Sequence, residues 1–253
     1  MKRDLPRDIF RSLSSPARLR YMLTVLRFLA GFHPRTCNLC GHEGRFDALG
    51  HPPRYDALCP KCGSRERHRL FGLLLERRSD LIGGRLVHFA PEPSLTALLE
   101  RRAADYATSD PEIEGCDLRL DIQAIALPDA SVDTFVLHQV LEHLPDDRAA
   151  LAELYRCLVS GGRVLLSVPI IEGWPHSYED PAVAAAGPAV RALHFGWPDH
   201  LRYYGADLRE RIAQAGFALE EFVADGAEVV RHGLIRGETI FIAEKPRAGN
   251  APR

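Results

Sequence analysis

The chain predicts an α/β protein with a small metal-bound module ahead of its sheet, and two observations carry that expectation. From Arg85 onward, short apolar runs alternate with stretches of helical spacing, the pattern of a parallel sheet covered by helices. Before them stand Cys37-Asn-Leu-Cys40-Gly41 and Cys59-Pro-Lys-Cys62-Gly63, two C-x-x-C knuckles whose spacing suits one tetrahedral zinc ion.

At 253 residues the chain can bury one large core and carry one small appended module. Its 32 Lys and Arg against 34 Asp and Glu give a net charge of -2, which excludes a global pull toward nucleic acid or anionic membrane. Residues 1–34 are locally basic, and Pro16 to Gly31 reads as an amphipathic helix with Pro in its first turn and Gly at its end. Its apolar run, Tyr21 to Phe32, is too short to span a bilayer and is interrupted by Arg27. Packing on the body or a partner and peripheral contact with a membrane surface both stay open for this helix.

Residues 35–64 form the expected zinc ribbon. Eighteen residues separate the knuckles, enough for a hairpin, and the glycine after each second cysteine relieves crowding where the chain turns back toward the ion. Four thiolates leave no open position, so Cys37, Cys40, Cys59 and Cys62 predict a structural zinc; two disulfides are the alternative. No secretory signal accompanies them, so a reducing, cytoplasmic setting is expected. Cys116 and Cys157 read as ordinary buried residues.

A linking helix follows over residues 65–84. The strands then read as 85–90, 106–109, 118–122, 132–138, 162–169, 217–224 and 238–244, with helices over 94–104, 146–158 and 206–215. The insertion 171–204 is rich in Pro, Gly, His and aromatics and is too long for a plain connection. Residues 247–253 read as a flexible tail.

The stretch Leu127 to Asp147, with Val132-Asp-Thr-Phe-Val-Leu-His138 and Leu141-Glu-His-Leu-Pro-Asp146, and then Glu153 to Leu165, resembles the class I S-adenosylmethionine (SAM)-dependent methyltransferases. Cys59 to Arg69, His88 to Pro93, Tyr178 to Pro181 and Asp199 to Gly205 are similar to a bacterial methyltransferase type 11 group that carries a zinc ribbon. The resemblance implies a Rossmann-like seven-stranded sheet over residues 85–246, its last strand antiparallel, with SAM lying across the carboxyl ends of the first strands. It further implies cofactor contact by Phe89, Ala90, Pro91 and Glu92 in the first loop, by Asp110 on the ribose, by Asp121 and Ile122 on the adenine, and by His138 beside the methyl group. The first loop departs from the family's glycine-rich pattern, since Ala90, Glu92 and Ser94 stand at the glycine positions.

Methyl transfer needs an aligned nucleophile and, for oxygen or nitrogen acceptors, a proton acceptor. The candidates are His143, Glu179 and His200, with His138, His176, His194 and Asp199 in the same loops. An Asn/Asp-Pro-Pro-Tyr motif is absent, which favours a small-molecule or glycan acceptor over a base or amide nitrogen. Two other readings stay open. One is an RNA or ribosome-associated methyltransferase that grips nucleic acid through the ribbon and the cluster Arg65, Arg67, His68, Arg69. The other is a non-catalytic binding module with a degenerate SAM site.

Overall fold

The computed structural model describes residues 15–50 and 53–247. The basic residues up to Arg11 and all of the expected tail except Arg247 lie outside the described residues. In chain order the elements are α1 (Pro16–Phe28), β1 (Pro34–Thr36), β2 (Glu43–Arg45), β3 (Asp47–Leu49), β4 (Arg54–Leu58), α2 (Glu66–Arg77) and β5 (Arg85–Phe89). Then come α3 (Pro93–Glu100), β6 (Asp105–Ser109), β7 (Val132–His138), α4 (Asp147–Cys157), β8 (Leu158–Ser167) and β9 (Tyr178–Glu179). The chain closes with α5 (Pro181–Ala185), α6 (Pro188–Phe195), β10 (Arg202–Tyr203), α7 (Leu208–Gln214), β11 (Ala218–Val223), α8 (Gly226–His232) and β12 (Thr239–Glu244).

Two compact units result. One takes the described residues up to Leu73 together with Ala224–Glu238; the other takes Leu74–Val223 and the residues from Thr239 on. Residues 224–238, which the sequence places inside the sheet domain, thus pack with the ribbon. No signal for α8 was read in the sequence, although Asp225 caps it by accepting from the Glu228 amide, in a reciprocal capping box.

In the first unit, β1 pairs with β2 and β3 with β4, both antiparallel. The two knuckles repeat one geometry. The Gly41 amide donates to Cys37 O at 2.8 Å and the Gly63 amide to Cys59 O at 2.9 Å. Gly41 and Gly63 have φ of +69° and +68°, the left-handed turn a side chain would resist. Arg69, fully buried, holds this unit together. Its guanidinium donates to the carbonyls of Ser64, Ala57 (2.8 Å), His232 (2.7 Å) and Gly233 (2.9 Å), and lies over the Phe46 ring. His68 is buried too. The basic cluster 65–69 is therefore corrected: two of its four members are buried, Arg69 because a guanidinium is the one side chain with enough planar donors to satisfy four converging carbonyls. On α1 the residues Leu19, Met22, Leu23 and Leu26 are exposed, as is Leu29 just after it, while Phe28 packs edge-on against Tyr55 and Phe32. Among the described residues no helix is long and apolar enough to cross a membrane.

The second unit is built on a six-stranded sheet of order β11-β12-β8-β7-β5-β6. Strands β6, β5, β7 and β8 are parallel; β12 runs antiparallel to both β8 and β11. The expected seventh strand, 118–122, is a correction. Only Leu118 bridges Ser109, and the segment is otherwise held by side chains: the Asp117 carboxylate accepts from Thr108, and Ser109 Oγ accepts from the Leu120 amide. Those bonds replace the ladder. Val87, Phe89, Phe135, Leu137, Val164 and Leu166 pack against Leu151, Leu154 and Cys157 of α4, so Cys157 is the core residue its neighbours predict. The Asp146 carboxylate caps α4 by accepting from the amides of Arg148 and Ala149.

Arg69→Leu is expected to lower the urea stability of the ribbon unit by at least about 3 kcal/mol, because it strands several buried carbonyls. Arg69→Lys should recover little, since an ammonium cannot reach them all. A loss under about 1 kcal/mol for Arg69→Leu, read from the urea midpoint, would show that Arg69 is not the keystone.

Candidate active site

Three neighbouring parallel strands end together. The register pairs Phe89 with Ser109 and with Leu137, so Ala90, Asp110 and His138 stand side by side at the carboxyl edge, where open α/β sheets bind ligands. Two non-glycine residues there adopt left-handed backbone: Ala90 at φ +47° and Gln139 at φ +57°. Each is pinned by its amide, which donates to Ser109 O (3.0 Å) for Ala90 and to Ser167 O (2.8 Å) for Gln139. Such positions cost on the order of 1–3 kcal/mol and gather at functional sites. Ala90 thus does conformationally what glycine does in the family pattern. Gln139 was not read from the sequence, and only the backbone reveals it.

Glu92 is the N-cap residue of α3 and makes no side-chain capping bond. Pro91 is half-buried beside it, and Phe89 is buried. Asp110 follows β6 directly; its Oδ1 accepts from the amides of Glu112 (2.8 Å) and Ile113 (2.9 Å), which fixes the carboxylate in place. Asp121 is exposed and accepts from the Gln123 amide, while Ile122 is buried. His138 ends β7 buried, with Nδ1 2.8 Å from Ser167 Oγ.

The predicted proton acceptors separate into two groups. His143 and His200 meet, their ring centroids 4.8 Å apart and edge-to-face, and Asp199 Oδ1 lies 3.4 Å from His143 Nδ1. Burial first, and then the neighbouring His143, lowers the pKa of His200 and favours its neutral imidazole. Glu179 is elsewhere. Its carboxylate accepts from Arg202 (2.9 Å) and Arg211 (2.8 Å), and Arg211 also binds Asp147 (2.9 Å) and Asp207 (3.2 Å). Burial raises the pKa of Glu179, but the two arginines outweigh it and hold the group anionic. Glu179 therefore anchors the insertion, and it is corrected from a proton acceptor to a positioning residue. His194 is bonded to the Tyr178 hydroxyl at 2.7 Å, and His176 is exposed.

In the ribbon, Cys37 Sγ lies 3.6 Å from Cys62 Sγ and Cys40 Sγ 3.7 Å from Cys59 Sγ, with all four within 4.8 Å. A zinc–sulfur bond of about 2.3 Å places tetrahedral sulfurs about 3.8 Å apart, so the cluster fits the ion. Burial pushes Cys40 up to about 12, whereas at Cys62 burial is outweighed by hydrogen bonds, those of Ser64 foremost, which bring it down to about 7. Burial lowers the pKa of Arg69, and the neighbouring Cys37, Glu66, Cys59 and Cys62 only partly oppose it.

Residues 79–166 match the family model described as a methyltransferase domain. Over these residues the chain is similar to a methyltransferase domain. A probable SAM-dependent methyltransferase of Mycolicibacterium smegmatis is 31% identical over 131 residues, which are 51% of this chain and 46% of that protein. The aligned region thus spans about half the length of that curated relative. Among solved structures, the YcgJ protein of Bacillus subtilis is similar in fold, with a TM-score of 0.50 and 16% identity, covering 72% of this chain and 100% of that one. Ala90, Asp110 and His138 stand at the carboxyl edge of the sheet to which the matched residues belong.

Glu179 and Asp207 have pKa values below the ordinary carboxylate range; at both, burial works the other way and is outweighed, by Arg211 and Arg202 for Glu179 and by Ser177 and Arg211 for Asp207. Their stabilisation is therefore complete above the unfolded pKa near 4 and is lost as pH falls through the lowered folded values. Stability measured by urea unfolding should fall steeply below about pH 4, and less steeply in Glu179→Gln with Asp207→Asn. An unchanged acid slope in that double variant would remove the arginine network as its source.

Proposed function

We propose that this protein is a SAM-dependent methyltransferase acting on an oxygen or nitrogen of a small-molecule or glycan-type acceptor, with a structural zinc in its ribbon. The observation that carries the reading is the aligned edge of β6, β5 and β7, where strained Ala90 and Gln139 and the oriented Asp110 coincide within a methyltransferase domain. Bound there, SAM supplies an electrophilic methyl group on a sulfonium. The residues at the edge bind and orient. Asp110 offers its remaining carboxylate oxygen to ribose hydroxyls, while Ala90 lets the backbone come close because its side chain is small. Asp121 and Ile122 are the proposed adenine contacts, and Glu92 the proposed partner of the cofactor's positive charge.

The acceptor lies, in this reading, under the insertion 171–204. β9 and β10 pair antiparallel there, and Trp174, Leu193 and Trp197 are exposed on it, an apolar surface beside the polar cluster of His143 and His200. That mixture suits a small polar molecule with an apolar body. Two observations favour it over RNA. Arg69 and His68 are buried, and the cleft of 680 Å³ in the first unit has its Arg35 and Arg54 paired with Asp56 and Glu66.

SAM affinity tests the cofactor assignment. Asp110→Ala should bind SAM at least about tenfold more weakly in calorimetry with the fold intact, since charge-assisted hydrogen bonds contribute roughly 1.5–3 kcal/mol each. Equal affinity in the variant and the parent would displace the cofactor from this edge. Zinc content tests the ribbon: about one ion per chain is expected in protein prepared without chelator, and Cys40→Ser should lose it and loosen residues 35–64. Full metal content in Cys40→Ser would refute the four-thiolate site.

A further inference from the structure

The polar cluster beside the edge has a composition that proton transfer alone does not require. Glu142, His143 and His200 each bring one ligand-type atom within 4.8 Å of the others. We propose that these three residues hold a divalent first-row transition-metal ion, and that its open positions take an oxygen donor of the acceptor, a hydroxyl or carboxylate. The ion stands on the cluster alone; its role toward the acceptor rests on the methyltransferase reading.

Two imidazoles and one carboxylate form a donor set that suits manganese, iron, cobalt or zinc better than magnesium or calcium. Three protein ligands leave positions open for an outside ligand, unlike the closed four-thiolate ribbon. The tautomers agree. His200 Nδ1 faces the Phe195 carbonyl at 3.0 Å, and a carbonyl only accepts, so Nδ1 carries the hydrogen and Nε2 the lone pair. His143 Nδ1 faces Asp199 Oδ1 at 3.4 Å, the same arrangement with a carboxylate. An outer acceptor that orients an imidazole and raises its basicity is the usual backing of a metal-bound histidine.

The backbone brings the donors together from two distant segments. Glu142 and His143 lie in the short 3-10 turn Leu141–His143 after β7. His200 arrives from the insertion, where the Leu201 amide donates to Glu142 O at 2.8 Å. Arg202 donates to the carbonyls of Leu141 (3.0 Å), Leu144 (2.6 Å) and Pro145 (3.1 Å), locking the turn against β10. Glu142 is fully buried and His200 half-buried, while the His143 side chain is 31% exposed, which leaves an approach from solvent. Ligand atoms about 2.0–2.2 Å from an ion stand roughly 3–4 Å apart, so side-chain rotations of an ångström or so close the site.

The test uses the full chain with its ribbon already loaded with zinc, titrated with manganese chloride by calorimetry and by the loss of the free-ion signal in electron paramagnetic resonance. One Mn²⁺ per chain is expected beyond the ribbon zinc, weakened at least tenfold in His200→Ala and in Glu142→Gln. Should either variant fail to fold, His143→Asn, His200→Asn and Asp199→Asn decide, each also expected to weaken binding about tenfold or more. No saturable binding of Mn²⁺, Co²⁺ or Zn²⁺ beyond the ribbon ion overturns the proposal, as does unchanged binding in folded His143→Asn and His200→Asn. SAM affinity measured on the same samples separates the two readings: SAM bound without a second metal sinks the metal site alone, and a second metal without SAM sinks the methyltransferase reading alone.

Discussion

The guanidinium of Arg202 is the constraint on which the arrangement of the candidate site depends. It is buried, and it holds three carbonyls of the turn after β7 on one side and Glu179 on the other. Burial opposes its charge, but Tyr204, Asp147 and Glu179 outweigh that cost and raise its pKa. Arg211 repeats the device one layer away, joining Glu179, Asp207 and the buried Asp147, which also accepts from the Tyr204 hydroxyl at 2.8 Å. A buried ion pair of this kind adds little net stability over an apolar replacement, yet removing one member is costly. Its consequence is positional: the insertion carrying His200 is tied to the turn carrying Glu142 and His143.

The ribbon unit solves a similar problem with one arginine. Arg69 gathers carbonyls from Ser64, Ala57, His232 and Gly233, so residues late in the chain complete a module that begins near its start. Its positive charge lies next to sulfurs that carry a net negative charge when all four hold a zinc ion. Packing and the proposed zinc site therefore place the same demand on one residue, and neither lysine nor an apolar side chain meets both.

At the sheet edge, the proposed cofactor site and backbone strain coincide. Parallel strands β5 and β7 are each followed by a non-glycine residue with left-handed backbone, held by a backbone hydrogen bond to the neighbouring strand. The family pattern puts glycines in the first of these loops. Here alanine accepts the conformational cost, offset by the ladder bond from Ala90 to Ser109.

Much of this was legible in the sequence, and the reason differs from element to element. The strands Arg85–Phe89 and Val132–His138 were read almost to the residue because buried parallel strands are continuous apolar runs, a local signal. The convergence of the four cysteines was legible because each knuckle is built from residues a few positions apart, and the position of Asp110 because it follows a strand end. The seventh strand was not, since Leu118–Ile122 has strand-like residues but too few backbone partners, and side-chain bonds from Thr108 and Ser109 decide its conformation. Glu179 and Arg69 were misassigned for one physical reason: a charged side chain looks solvent-facing in a sequence until the partners that neutralise it, Arg202 and Arg211 in one case and four carbonyls in the other, are brought in from afar. The sequence by itself determined the sheet, the knuckles and the kind of domain, all of which rest on local patterns. Only the tertiary structure decided that His143 and His200, far apart in the chain, meet beside Glu142, because that contact depends on where Arg202 anchors the insertion.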